Sequence, residues 1–232
     1  MNYHLEQEIA TLKKSIGRQA AEVELAVRRS LDALTQKDEA MAQEIIEHDD
    51  AIDREEVRLE EECLKILALH QPVAGDLRYI ITLLKVNNEL ERIGDLAGNI
   101  AERVIDLIHL RTDWSQWDIS PMFHEIFTQL KKALDSLLGQ DCYLASQVIA
   151  SDDTVDEMHR SNYHHAVQGL KEESGSVEIY LNFLNISRNL ERIADACTNI
   201  GEDVLYLEQG RIVRHVHEKR KNAEEDWTGS SL

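Results

Sequence analysis

The sequence predicts an all-α protein that consists of two tandem antiparallel three-helix bundles, six long helices in all, related by internal duplication. The stretch 83–107 returns one hundred residues later as 183–207 without a gap. A repeat of this length in polar and apolar positions alike is typical of a duplicated unit. Its apolar residues recur at alternating steps of three and four, the spacing of a helix that packs against other helices. Only two prolines, Pro72 and Pro121, interrupt the 232 residues, so long helices can form almost everywhere.

The first bundle is predicted within residues 1–113. Asp38 follows a short turn and is suited to cap the second helix, because its carboxylate can accept a hydrogen bond from an early backbone N–H. Pro72 ends that helix, since proline disfavours the helical conformation in the residue before it. The third helix carries the first copy of the repeat. The three predicted helices run over about 5–34, 39–69 and 73–110.

The second bundle is predicted within residues 118–210. The polar stretch 112–121 separates the two bundles, Gly139 ends the fourth helix, and the turn 174–176 precedes the sixth. After the sixth helix the segment 211–232 is predicted to be a tail, first basic and then polar. The three helices of this half run over about 122–138, 142–170 and 177–209.

The composition excludes several classes of function. The formal net charge of −19 argues against direct binding of nucleic acid, which requires a basic surface. No apolar run is long enough to span a bilayer, and the first ten residues are charged rather than apolar like a signal peptide. We therefore expect a cytoplasmic protein without membrane insertion.

Carboxylates spaced i, i+4 occur on two predicted helices of each half. Residues four apart lie on one helix face, where two like charges repel unless a cation lies between them. The segment 48–53 corresponds to 151–156 with a shift of 103, so both pairs recur in both halves. Such all-oxygen clusters suit divalent metals. The predicted metal ligands are Asp49, Asp53, Glu91, Asp95 and Asn99 in the first half and Asp152, Asp156, Glu191, Asp195 and Asn199 in the second.

Two other interpretations of these acids remain open. The acidic arc on the repeated helix lies about opposite the apolar seam, so it can be a solvated face of a metal-free structural adaptor. A carboxylate-bridged metal enzyme is the other alternative, although such bundles use Glu-x-x-His and no Glu-x-x-His occurs here. The sequence also lacks phosphate-binding loops, nucleophile elbows and zinc-protease motifs. A protein that acts without catalysis is the favoured prediction.

Several motifs together resemble the PhoU family. LERIGDLAGNIAE at 90–102 and LERIADACTNIGED at 190–203 are similar to the paired motifs of that family, and QPVAGDLRYI at 71–80 precedes the first. Gly210 with the Arg-His pair at 214–215 also matches. The chain departs from the family where Leu96 and the Ala-Cys pair at 196–197 replace a common histidine, which leaves a carboxylate-only site.

The resemblance implies a cytoplasmic six-helix adaptor, often a homodimer, rather than an enzyme. PhoU-like proteins link the ATPase subunit of the Pst phosphate ABC transporter to a PhoR-type sensor kinase. They repress the phosphate-starvation response when phosphate is plentiful. Some bind iron, zinc, manganese or magnesium through carboxylate pairs, which in this chain are the eight Asp and Glu residues named above.

Overall fold

The computed structural model describes residues 3–111, 113–114, 117–172 and 177–210. The predicted tail 211–232 lies outside the described residues. In the described ranges every regular element is a helix, as predicted. The helices are α1 (Tyr3–Gln36), α2 (Glu39–His70), α3 (Ala74–His109), α4 (Ser120–Gly139), α5 (Cys142–Ala150), α6 (Asp152–Lys171) and α7 (Val177–Gln209).

The fifth predicted helix is interrupted at Ser151 and forms α5 and α6. The side-chain amide of Gln129 on α4 donates to the Ser151 carbonyl over 3.0 Å. The Ser151 hydroxyl and backbone N–H both turn back to the carbonyl of Val148, at 2.8 and 3.1 Å. These contacts replace the regular helical hydrogen bonds at this point. The other five predicted helices are continuous.

The duplication extends to the turns between helices. Lys37 and Gln140, which correspond to each other with a shift of 103, both have the left-handed backbone conformation, with φ of 55° and 52°. Asp38 then caps α2 by accepting from the Met41 N–H over 3.0 Å, as predicted. Asp141 caps α5 in the same way. Both halves therefore use one turn design to reverse the chain before their second helix.

The two repeated helices, α3 and α7, form the centre of the molecule. Helix α3 packs against α1, α2 and α7, whereas α7 packs against α4, α5, α6 and α3. A single hydrophobic core runs through both halves. Complete burial of one such aliphatic side chain contributes about 1.5–3 kcal/mol. All sixteen predicted seam residues are buried: Leu83, Val86, Leu90, Ile93, Ala97, Ile100, Val104, Leu107, Phe183, Ile186, Leu190, Ile193, Cys197, Ile200, Val204 and Leu207.

Polar contacts join α3 to α7 across the two halves. The Lys85 ammonium lies 3.1 Å from the Asp203 carboxylate, which is 2% exposed. Further along, the Asn199 amide donates to the Glu89 carboxylate over 3.0 Å. Residue numbers rise on α3 as they fall on α7, so the two helices are antiparallel. A buried carboxylate that keeps a cationic partner fixes the register of this pair.

Aromatic residues anchor the connection between the halves. Trp114 is buried, and the Lys37 ammonium lies 4.2 Å from the centre of its ring. Trp117 stacks on His165 and Phe183, with ring centres 4.6 and 5.0 Å apart. The hydrophobic core is continuous between the two halves. The predicted domain limits, 1–113 and 118–210, stay a prediction. Within the described ranges, none of the helices is long and apolar enough to cross a membrane.

Candidate metal centre

Three of the predicted ligands converge where α2 lies against α3. Asp49 and Asp53 project from α2 and Asp95 projects from α3. Each offers one carboxylate oxygen, and the three atoms lie within 4.8 Å of one another. Asp49 is half-buried at the base of this cluster, whereas Asp53 is exposed, so the cluster opens to solvent on one side. We call these three residues the carboxylate cluster.

Two glycines on α3 lie beside Asp49 and Ile52 of α2. A Cβ atom added at Gly94 would lie 3.0 Å from the Ile52 Cδ1 atom and 3.5 Å from the Asp49 Oδ1 atom. A Cβ atom at Gly98 would lie 3.7 Å from Asp49 Oδ2. Both added atoms would be at ordinary van der Waals distance from Asp49, whereas the one at Gly94 would crowd Ile52. In the second half the corresponding positions hold Ala194 and Thr198.

The carboxylates raise one another's pKa. Burial, followed by the charges of Asp95 and Asp53, raises the pKa of Asp49 to about 6. Burial and the same two neighbours, Asp95 first, raise the pKa of Glu91 to about 7. Burial and Asp53 also raise the pKa of Asp95, opposed by a hydrogen bond with Asp49 and by Arg192 of the other half. The cluster therefore favours a bound positive charge.

The chemistry of the donor set fits a divalent cation. Asp49 Oδ1 is shielded from solvent and has no hydrogen-bond partner within the described part of the chain. An ionised oxygen in that position is costly unless a proton or a metal compensates its charge. The donors are carboxylate oxygens only, which suits magnesium, manganese or calcium, and carboxylate clusters also bind iron. Asp49, Asp53 and Asp95 would hold such an ion, with Glu91 adjacent.

The remaining predicted ligands are placed less closely together. Asn99 is exposed, and Asn199 directs its amide nitrogen to Glu89 on α3. The side chain of Asp152 lies outside the described residues. Among the other described side chains, no second set of three acidic, histidine or cysteine ligands converges in this way. Among the predicted ligands of the second half, Asp156, Glu191 and Asp195 are partly buried. The metal assignment of all ten residues stays a prediction.

Sequence reasoning missed the glycines and the contribution of Arg192. The paired copies differ at 94 and 98, where glycine stands in the first half only, and this difference was the available indication. The influence of Arg192 on Asp95 depends on the antiparallel contact of α3 with α7. A periodicity argument does not predict which helices of the two halves meet.

The fold and the cluster define a class of duplicated helical bundles with carboxylates between the second and third helices of a half. The family model described as "PhoU domain" matches residues 16–104 and again 119–204. The phosphate-specific transport system accessory protein PhoU homolog 1 of Thermotoga maritima is 32% identical over 209 residues, 90% of each chain. The corresponding homolog of Aquifex aeolicus is 35% identical over 93% of this chain and 97% of its own.

Solved structures agree with this match. The crystal structure of PhoU from Pseudomonas aeruginosa has a TM-score of 0.86 and 33% identity, covering 89% of this chain and 99% of the other. The phosphate transport system regulatory protein PhoU from Streptococcus pneumoniae has a TM-score of 0.81 and 28% identity, covering 90% and 99%. The chain belongs to the PhoU family.

Proposed function

We propose that this protein is a cytoplasmic regulator of phosphate homeostasis. It couples the ATPase subunit of a Pst phosphate transporter to a PhoR-type sensor kinase and represses the phosphate-starvation response when phosphate is plentiful. The observation that carries the proposal is the family match, which covers both halves of the chain. Relatives named as accessory proteins of the phosphate-specific transport system support it.

The protein acts by contact with these partners, as a homodimer, and not by catalysis. Its large helical faces suit contact between proteins, and the relatives are named accessory or regulatory proteins. The test is a strain that lacks the gene, with starvation-gene transcription measured in high phosphate. We expect derepression that the wild-type gene reverses. Normal repression in the deletion strain, with no second copy of the family in its genome, would refute the proposal.

The carboxylate cluster binds a divalent metal as part of this function. When bound, the ion supplies positive charge to a surface that is otherwise strongly acidic. Elemental analysis of protein purified without chelator measures metal per chain in wild type and in an Asp49→Asn/Asp53→Asn/Asp95→Asn variant. We expect metal in the wild type and its loss in the variant. The control is Glu61→Gln, an exposed acid on α2 outside the cluster.

The same triple variant tests whether metal contributes to regulation. A folded variant without metal should leave starvation genes partly derepressed in high phosphate, whereas Glu61→Gln should behave as wild type. Full repression by the metal-free variant would separate the regulatory role from metal binding. Wild-type protein that contains no metal even after loading with manganese or magnesium would refute the metal proposal alone.

A further inference from the structure

A cavity at one end of the molecule lies where the two halves meet. It has a volume of about 350 Å³. Its walls come from the start of α1, the first turns of α3, the turn between α4 and α5, and the last turn of α7. We call this space the terminal cavity, because the described part of the chain ends beside it at Gly210. The lining residues are Ile9, Lys13, Gly75, Asp76, Arg78, Tyr79, Gln140, Leu207 and Glu208.

The duplication shows what covers the corresponding place at the opposite end of the molecule. Helices α3 and α7 end at His109 and Gln209, which correspond to each other with the shift of 100. After α3 the chain lies against the turn between α1 and α2. There the Lys37 ammonium is 4.0 Å from the Asp113 carboxylate and 4.2 Å from the centre of the Trp114 ring. Trp114 belongs to the hydrophobic core, so the segment after α3 closes its end of the core.

The terminal cavity is lined by the counterparts of that place. Gln140, which corresponds to Lys37, lies in its wall together with Leu207 near the end of α7. A chain that leaves α7 as the first copy leaves α3 therefore enters this cavity. With the shift of 100, Arg214 corresponds to Trp114. A tryptophan fills the site in the first copy, whereas the second copy has a cavity.

The end of α7 reverses the chain at the rim of the cavity. Gly210 has a left-handed φ of 66°, and its N–H donates to the Tyr206 carbonyl over 2.9 Å. This cap ends a helix and turns the chain away from the helix axis. A Cβ atom added at Gly210 would lie 3.1 Å from the Nη1 atom of Arg78 in the cavity wall. A segment attached at this point is present at high local concentration, with which outside molecules must compete.

Charge favours the segment 211–217, RIVRHVH, as the occupant. It carries two arginines and no acid, whereas the whole chain has a formal net charge of −19. Asp76 and Glu208 lie in the cavity wall, and neither forms an ion pair with another described residue. A segment that brings cations to these acids is therefore favoured over an anion.

The remaining wall is apolar or has its charge directed elsewhere. The Lys13 ammonium lies 5.5 Å from the centre of the Tyr79 ring. Arg78 lies against the backbone where the chain leaves α7. Ile9 and Leu207 supply apolar surface that continues into the hydrophobic core. The cavity thus suits a segment that combines aliphatic and basic side chains.

We propose that the segment 211–217 of this chain occupies the terminal cavity. In an extended segment residues i and i+2 lie on the same side. Ile212 and Arg214 then face the cavity together, with Ile212 against its apolar wall and Arg214 toward its two acids, whereas Val213 faces away. The contact does not depend on metal. It goes beyond the regulatory function, because it assigns a binding site within the protein to the segment that follows the last helix.

Two measurements on the full chain test the contact. With methyl-labelled isoleucine, NMR should show a nuclear Overhauser effect between Ile212 and Ile9, which lie far apart in the sequence. Trypsin should cleave after Arg214 at least about tenfold more slowly in the folded chain than in a synthetic peptide of residues 208–221, because cleavage follows the population of the open form. Cleavage after Lys219, outside the proposed contact, should differ little between the two.

Substitutions separate this contact from a general slowing of cleavage. Ile212→Ser should bring the rate of cleavage after Arg214 close to the peptide rate, since it removes the apolar contact. Val213→Ser is the matched control, because it removes a similar side chain that faces away, and its rate should stay at the wild-type value. Each rate is divided by that of a synthetic peptide with the same substitution, which cancels the sequence preference of trypsin. Asp76→Asn/Glu208→Gln should also accelerate the cleavage.

Three outcomes would contradict the proposal. Cleavage after Arg214 at the peptide rate, without the Overhauser effect to Ile9, would show that the segment does not occupy the cavity. Protection that is lost on dilution would assign the cavity to the segment of a second copy. Equal acceleration by Ile212→Ser and Val213→Ser would refute the extended arrangement. None of these results bears on the deletion experiment, so the regulatory function is tested independently.

Discussion

In metal-free protein, Asp49→Asn should raise the free energy of unfolding at neutral pH. The pKa of Asp49 is about 6 in the fold against 3.8 in the unfolded chain. A raised pKa means that the folded protein holds the proton more tightly. The contribution of protonated Asp49 to the free energy of unfolding is therefore complete below about pH 4 and is lost as pH rises through about pH 6. Asparagine is uncharged at every pH and removes this loss.

The expected magnitude follows from the same shift. Two pKa units correspond to about 3 kcal/mol when the shift is fully expressed. Asp49 is only half-buried, and solvent screens its neighbours, so about 1 kcal/mol is the expected gain at about pH 7.5. Glu91, with a folded pKa of about 7, also lowers the free energy of unfolding as pH rises, and this effect remains in the variant. The pH dependence should thus become shallower without disappearing.

Urea unfolding with a chelator present, monitored by circular dichroism at several pH values between about 4.5 and 8, measures the free energy of unfolding of each protein. The comparison is wild type, Asp49→Asn and Glu61→Gln, where the last variant removes one negative charge from α2 outside the cluster. The free energy of unfolding should increase more in Asp49→Asn than in Glu61→Gln. If Asp49→Asn unfolds more easily than wild type at about pH 7.5, the repulsion inferred here is absent.

Four further predictions concern metal binding, helix packing and the ion pair between Lys85 and Asp203. Manganese at a hundredfold excess over its dissociation constant should stabilise wild type by about 2.7 kcal/mol in thermal melts, and equal stabilisation of Asp49→Asn would contradict the site. Gly98→Ala should raise the melting temperature, since its Cβ would meet only an ordinary contact and alanine favours helix by about 1 kcal/mol. Gly94→Ala should be less stable than Gly98→Ala by at least about 1 kcal/mol, because its Cβ would lie 3.0 Å from Ile52, and equal melting would refute this. Lys85→Met should cost about 1–3 kcal/mol in urea unfolding, because Asp203 stays buried without this cation, and an unchanged midpoint would show that the pair is not stabilising.

Much of the fold follows from periodicity, because helix formation and burial repeat with a simple spacing. The seam residues, the cap at Asp38 and the repeated helices were all predictable. The break at Ser151 was not, since it depends on a tertiary hydrogen bond from Gln129 on another helix. No proline or glycine marks it in the sequence.

The candidate site was predictable in composition but less so in geometry. Spacing placed Asp49 with Asp53, and the recurrence of both pairs suggested that Asp95 belongs near them. It did not show that Asp49 is half-buried against two glycines, because that depends on how closely α2 approaches α3. The burial of the Gln19 side chain could not be predicted from the sequence either, since a glutamine on a helix is ordinarily exposed.

The antiparallel contact of α3 with α7 has a consequence for the history of the molecule. One half alone would leave the inner face of its third helix uncovered, and the best available cover is a second identical half turned around. That arrangement is what an ancestral pair of identical subunits would have formed before a linker joined them. Once joined, each half had a permanent neighbour and could change separately. Gly94 and Gly98, where the second half has Ala194 and Thr198, are positions at which the two halves differ.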